Sequence, residues 1–426
     1  MKELNYCAFL PVYETKIGEL AGEYDCDYGN TAISIVGTTQ KEFLAHAEAL
    51  KAKNAVLYAE NQIADNRFMT YLLQNDGKEY AVHLIHYPIR GNTRVVYGEK
   101  KFLPTLDDAV FGSGTVRTSI LQYSRNGVYN SQPATGAPGM AYIITLADGT
   151  FIVIDGGPRQ KDKDHFTKKK ENGVWVDGEF TDENDCDKLY RLLRERTPAG
   201  QKPVIAVWMI THGHSDHTDL AGDFLGKYGK DVDVRIAGYN LADPLLHPTK
   251  NEKNEILSIT RAYIQKRFAE VGAVHWDIHT GQRMSLPGCE IEILHTHEDY
   301  FPKPYAWLNH TSAAFRLKFK GKTFMVLGDC ESDINNQMAY KYGKALKSDI
   351  LQITHHGANG GCTSLNAVVD PDICLWPVDA YRFYDDARML GFRSGYECNW
   401  VLRNDEFRVR THYHNCEDAE IFTDEA

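Results

Sequence analysis

The stretch THGHSDHTD at positions 211–219 places three imidazoles and one carboxylate within six residues: His212, His214, Asp216 and His217. Neutral imidazole nitrogen and carboxylate oxygen are ligand types that zinc accepts. In extended or turn geometry His212 and His214 point to one side while Asp216 and His217 project to another, so one short loop can serve two adjacent ions. The apolar run Val204 to Ile210 reads as a strand delivering the chain to His212, and a helix is expected from about Asp219. The alternative is a chance histidine-rich loop. Four ligand-type residues at this spacing, at a strand end, argue against it.

The H-x-H-x-D-H run resembles that of the metallo-β-lactamase superfamily. The resemblance implies an αββα sandwich of α/β class and a dinuclear metal-dependent hydrolase, and it organises the later motifs. Asp155, closing FIVID (Phe151 to Asp155), matches the family aspartate that orients the ligand loop; outer carboxylates of this kind fix imidazole orientation. Asp329, at the end of TFMVLGD, matches the carboxylate that bridges the two ions. ITHHG (Ile353 to Gly357) offers two candidates for the final ligand, with His356 favoured and His355 as neighbour or proton donor. The turn LNHTSAAFRL admits two readings. His310 fits the histidine that most members place there, while Asn309 with Ser312 fits the Asn-x-x-Ser of one subgroup. That subgroup resembles the metallo-β-lactamase domain of bacterial DNA-uptake channel proteins and also choline-phosphate esterases. In the second reading Asn309 supports a water or a substrate oxygen.

The resemblance therefore implies that His212, His214 and His310 bind one ion, that Asp216, His217 and His356 bind the other, and that Asp329 bridges. His355 or Asp216 handles the proton. Zinc is the ion this set favours, and its oxygen-rich positions also admit manganese or iron. Two such ions share a water, lower its pKa towards about 7 and hold the hydroxide for attack. The Asn-x-x-Ser and H-H-G features lean towards a phosphodiester-type substrate; a lactone, thioester or amide is the alternative for the same site.

Other residues carry weaker signals. His295 and His297 in EILHTHEDY are read as structural, with substrate contact as the alternative, and His412 and His414 as packing or surface residues. The basic run RQKDKDHFTKKK (159–170) follows the Asp155 strand and is either a solvated loop or a grip for an anion. Trp175 either packs or caps a substrate.

The elements that must position these groups begin near Gly114. Val116 to Tyr123, Ala141 to Leu146, Glu290 to Leu294, Ser312 to Phe319, Thr323 to Leu327, Ile350 to Thr354 and Asp372 to Val378 read as strands. Leu189, Leu192 and Leu193 mark one helix, and Ile256, Ile259, Tyr263 and Val271 mark a longer one. Strands alternating with helices imply layered α/β architecture. Residues 1–113 read as a small N-terminal α+β accessory domain and 114–426 as the metallo-β-lactamase domain. In the first, Thr31 to Val36 is a strand, and Thr39 with Glu42 forms a capping box for a helix over Gln40 to Lys53. A further strand follows at Ala55 to Ala59. Met69 to Leu73 and Tyr80 to His86 flank the Asp76-Gly77 hairpin turn, and Val95 to Tyr97 adds a last strand.

With 426 residues, 43% hydrophobic and 25% charged, the chain has the composition of a soluble globular protein of about two domains. Its net charge of −11 opposes a whole-surface affinity for nucleic acid or anionic membrane. A small-molecule substrate, with an anionic one admitted, is the expected partner; oligomeric state is left open. Nine scattered cysteines without a CxxC pair suit reduced thiols rather than a disulfide framework. Neither a signal peptide nor a membrane span is legible, so a cytoplasmic location is expected.

Overall fold

Strands Ala141–Thr145, Phe151–Asp155 and Val204–Met209 are apolar at nearly every position because both of their faces are covered. Successive side chains of a strand point to opposite faces. Ile152 and Ile154 accordingly enter the core between two sheets, while Phe151 and Val153 pack under helices. The computed structural model describes residues 1–126, 139–159, 166–301, 303–385 and 396–424.

The first sheet runs in the order Val274–Asp277, Asp233–Tyr239, Val204–Met209, Phe151–Asp155, Ala141–Thr145, Ser119–Gln122, Ala419–Phe422. Its first four strands are parallel and the rest antiparallel. The second sheet runs Arg283–Leu286, Cys289–His295, Ala314–Phe319, Thr323–Val326, Ile350–Gln352, Ile373–Trp376, Thr411–His414, and becomes parallel from Thr323–Val326 onwards. Helices Asp185–Arg196, Ser215–Tyr228 and Asn254–Glu270 cover the outer face of the first sheet through Leu189, Leu193, Phe224, Ile264 and Phe268. Helices Ser332–Tyr342 and Thr363–Val369 cover the outer face of the second through Ile334, Met338 and Leu365. The result is the αββα sandwich expected from the sequence.

Residues 19–99 form a six-stranded antiparallel sheet with helix Gln40–Ala52 on one face. The capping box is present: Glu42 N–H donates to Thr39 Oγ1 at 3.3 Å, and Thr39 N–H donates to Glu42 Oε2 at 2.8 Å. At the hairpin tip Asp76 and Gly77 both take positive φ, 49° and 76°, as a two-residue turn between right-twisted strands requires. The opposite face of this sheet sends Ile63, Phe68, Ile85 and Tyr87 into the outer core of the second sandwich sheet. Beside them Arg94 and Tyr87 each donate to Asp299 Oδ1 at 2.6 Å, a buried ion pair with a buried phenol.

The structure departs from the sequence reading in local detail. The helix expected from Asp219 starts at Ser215, which puts Asp216 and His217 in its first turn. Its N-cap position is taken by His214, a residue type that gives no capping signal, and so the start is invisible in the sequence. The longer helix marked by Ile256, Ile259 and Tyr263 is present as Asn254–Glu270, although Ile256 and Ile259 are 55% and 69% exposed and Ile264 and Phe268 are the residues it buries. Strand Glu19–Asp25 was not foreseen, because as an edge strand it is mostly exposed and charged. Among the described residues no helix is long and apolar enough to cross a membrane, and all nine cysteines are free.

Candidate metal centre

The ligand-type residues lie where parallel strands end. Asp155 closes its strand, His212 follows Val204–Met209, Asp329 follows Thr323–Val326, and His355 and His356 follow Ile350–Gln352. These ends face one another across the two sheets. The backbone is specialised there: Asp155, His355 and His356 all take left-handed φ, at 52°, 47° and 56°. Non-glycine residues in that region are held against an intrinsic preference, a feature that clusters at functional sites.

Asp155 is fully buried and spends both oxygens on the ligand loop. Oδ1 accepts Thr211 N–H at 2.8 Å; Oδ2 accepts Thr211 Oγ1 at 2.8 Å and His217 Nδ1 at 2.6 Å. The same rule holds around the cluster, each imidazole having one nitrogen tied to an acceptor outside it. His356 Nδ1 donates to the Pro377 carbonyl at 2.9 Å, and His212 Nδ1 lies 3.2 Å from Thr211 Oγ1, whose own hydrogen goes to Asp155. His214 Nε2 lies 2.7 Å from Glu252 Oε1. The remaining nitrogens turn inward. His212 Nε2 and His214 Nδ1 are 3.0 Å apart. Without an ion this contact is a hydrogen bond: burial opposes charge on His214, but carboxylates led by Glu252 outweigh it and raise His214 towards the form whose Nδ1 donates. With both rings neutral and both outer nitrogens donating, the two inner atoms would be lone pairs free for a cation.

The other inner atoms converge likewise. His217 Nε2 is 3.2 Å from Asp329 Oδ1, and His356 Nε2 is 3.1 Å from Asp216 Oδ2 and 3.4 Å from Asp329 Oδ2. His212, His217 and Asp329 form one triad with ligand atoms within 4.8 Å of one another, and Asp216, His217 and His356 form a second. His217 Nε2, Asp329 Oδ1 and His356 Nε2 are buried and make no hydrogen bond. Buried polar atoms are almost always satisfied, so these orphans fit divalent ions lying between the triads.

Electrostatics point the same way. Burial would raise the Asp329 carboxyl, but the imidazoles of His356, His217 and His355 outweigh it and hold it well below the usual range. Burial disfavours charge on His217 and His356 too, yet Asp329 with its neighbouring carboxylates wins, raising His356 to about 10 and His217 well above its ordinary value. The same carboxylates that favour a proton on His217 and His356 would favour a cation there, and metal binding would compete with protons. His212, whose burial dominates, is held well below its ordinary value and offers a neutral ligand.

The 309–310 turn separates its two candidates. His310 points away from the triads: its Nδ1 meets the Trp307 backbone, its ring packs against Tyr300 at 4.9 Å, and its Nε2 lies 3.7 Å from Asp333. Asn309 is the residue at the mouth, its amide 3.3 Å from His355 Nε2 and 3.1 Å from Glu331 Oε1. Ser312 is buried and accepts the Asp329 N–H at 3.3 Å. His355 sits beside the triads, with Nε2 3.8 Å from Asp329 Oδ2 and Nδ1 3.5 Å from Glu331 Oε1. Its side chain is 23% exposed, against 8% for His356.

Several predicted candidates lie elsewhere. His295 is buried 3.5 Å from Asp299, and His297 bridges Asn240 and Tyr305. His412 accepts from Trp376 Nε1, and Trp175 packs edge-on against His414 at 5.5 Å. Residues 160–165 of the basic run fall outside the described residues; Arg159 pairs with Asp223. Sequence reading missed Glu252 and Glu331, the acidic partners of His214 and His355. Lone glutamates far along the chain from the motifs carry no spacing signal.

No family model matches the chain, and no curated protein matches it. Among solved structures it resembles CmlA, a diiron beta-hydroxylase from Streptomyces venezuelae, at 9% identity over 72% of this chain and 54% of that one, with a TM-score of 0.39. It also resembles the metallo-beta-lactamase fold protein YhfI from Bacillus subtilis, at 12% identity, 71% and 100% coverage and a TM-score of 0.38. A diphosphatase from the PhnP family matches at 14% identity, 72% and 98% coverage and a TM-score of 0.36. The chain spans about half the length of CmlA. The assignment of the site rests on the side chains described above.

Proposed function

We propose that the protein is a dinuclear metal-dependent hydrolase acting on a phosphodiester-type substrate. The observation that carries this reading is the pair of triads sharing His217, with His217 Nε2, Asp329 Oδ1 and His356 Nε2 buried and unbonded between them. His212, His214 and Asp329 would hold one ion; Asp216, His217 and His356 would hold the other, with Asp329 between them. Divalent ions so held supply Lewis-acid polarisation of the scissile group and activation of water. Zinc suits the imidazole-rich donor set best, with manganese or iron as the alternatives.

The chain's own residues do the rest. Asp155 and Thr211 orient the ligand loop. His355, at the mouth and backed by Glu331, is placed to pass a proton to the leaving group, and the Asn309 amide beside it offers N–H to a substrate oxygen. Such donors aimed at developing charge lower a barrier without reorganising.

Bis-p-nitrophenyl phosphate, a lactone and a thioester assayed in parallel test the reading. It predicts phosphodiester turnover that a chelator abolishes. Cleavage of only a carbonyl substrate would replace it with the lactone, thioester or amide alternative, and no turnover of any would overturn it.

A further inference from the structure

We infer that Glu252 is a positioning residue that fixes the tautomer of His214 and, with the same carboxylate, holds the wall of the site that carries Asn309. The inference rests on His214 being a metal ligand and does not depend on what the enzyme hydrolyses.

Glu252 stands just before helix Asn254–Glu270, 38 positions from His214 in the chain. Residues 250 and 251 lie alongside 305 and 306, with Lys250 N–H donating to the Tyr305 carbonyl at 3.1 Å and Asn251 N–H to the Ala306 carbonyl at 3.2 Å. This pairing brings the carboxylate between two elements. Oε1 meets His214 Nε2 at 2.7 Å, and Oε2 accepts the Leu308 backbone N–H. Both side chains are mostly shielded, at 16% exposure for Glu252 and 19% for His214.

An ionised carboxylate only accepts, so His214 Nε2 must carry hydrogen and Nδ1 is left as the lone pair facing His212 Nε2. The second oxygen fixes Leu308, next to Asn309 and packed close to Gly213, whose side-chain position would come 3.4 Å from Leu308. Two donors from two elements thus meet two acceptors on one group. An amide has a single acceptor and a competing donor, so glutamine can satisfy only one of them. The Leu308 backbone N–H can only donate and takes the amide oxygen. The amide NH2 then faces His214 Nε2, which can accept from it only by moving its own hydrogen to Nδ1, towards the metal position.

Tautomer control and simple packing rank the variants differently. A merely structural role would rank the near-isosteric Glu252→Gln above Glu252→Ala. Tautomer control ranks Gln below Ala, because Ala leaves His214 free to choose and lets water reach Leu308. Zinc binding to each purified full-length protein, measured by competition with a chromophoric chelator, reads this directly. We expect the weaker of two affinities to fall 10- to 100-fold in Glu252→Gln, the range for outer partners of metal ligands, and less in Glu252→Ala. Gln binding like wild type, or Ala binding more weakly than Gln, would overturn the inference. A second readout needs no variant: long-range nitrogen–proton spectra of the zinc-loaded wild type should show His214 protonated at Nε2, and protonation at Nδ1 would refute it. If zinc binding follows this pattern but no phosphodiester is cleaved, only the functional reading fails.

Discussion

Asp155 shows how much one side chain decides at this site. It accepts three hydrogen bonds within the buried ligand loop and holds the His217 ring in place. Asn tolerates its left-handed backbone, so Asp155→Asn tests the charge and the acceptor count rather than the turn. We expect metal affinity to drop 10- to 100-fold and the unfolding free energy to drop by about 3–5 kcal/mol, the cost of breaking a buried charged pair. Isothermal titration with zinc and urea unfolding check the two parts. The places of Asp155 and Asp329 in the cluster were legible because each stands at or just past the end of an apolar strand and matches the motif order of the resemblance. The choice between His310 and Asn309 was not, because adjacent residues in a short turn face different ways and no periodicity says which faces in.

At the scale of elements, the strand ending in Asp155 and the helix Ser215–Tyr228 touch without side chains between them. A Cβ at Gly156 would lie 2.4 Å from the Ala221 backbone nitrogen, and Gly156 N–H donates to the His217 carbonyl at 2.7 Å. Gly156→Ala therefore has to push this helix, whose first turn carries Asp216 and His217. It should cost about 1–3 kcal/mol, as overpacking does, and weaken metal binding as well; a loss of stability in urea with zinc affinity intact would separate the helix from the site. Many strand positions could be read from the sequence, since fully buried strands are continuous apolar runs, but Asp233–Tyr239 and Val274–Asp277 and the order of strands in each sheet were not. The start of this helix could not, because a histidine occupies the cap and the first turn is spent on ligands instead of packing. Ile256 and Ile259 marked their helix but not its buried side, because apolar spacing does not say what covers a face.

The molecule as a whole buries ionisable groups well away from the metal centre. Burial lowers His46 and His86 to about 4 and His297 to about 3, although His46 bonds to Tyr6 and His297 to Asn240 and Tyr305. Above pH 6.5 these histidines are neutral folded or unfolded and contribute no pH dependence. As pH falls from 6.5 towards 4, the unfolded chain takes up protons that the folded one refuses, and stability falls. Each contributes up to about 1.4 kcal/mol per pH unit across that window. Asp277, raised by burial to about 6, works in the opposite sense, as do Asp27, Asp155 and Asp219 to a smaller extent. His275, His412 and His414 are also lowered by burial to about 4 and keep the balance with the histidines. The urea midpoint of the chelator-treated protein should therefore drop between pH 7 and pH 5; a flat or rising midpoint would contradict this. His297 was read as structural, but the partners of these histidines were not foreseen, since Tyr6 lies 40 residues from His46 and Asn240 57 residues from His297 and no spacing links them.

The central claim is that two divalent ions occupy the ends of these strands. Inductively coupled plasma mass spectrometry on protein reloaded and desalted measures it directly. The account predicts two equivalents per chain in wild type, fewer in His212→Ala, and two again in His310→Ala, whose ring faces Tyr300 and Asp333. Two equivalents retained by His212→Ala, or none bound by wild type, would contradict it.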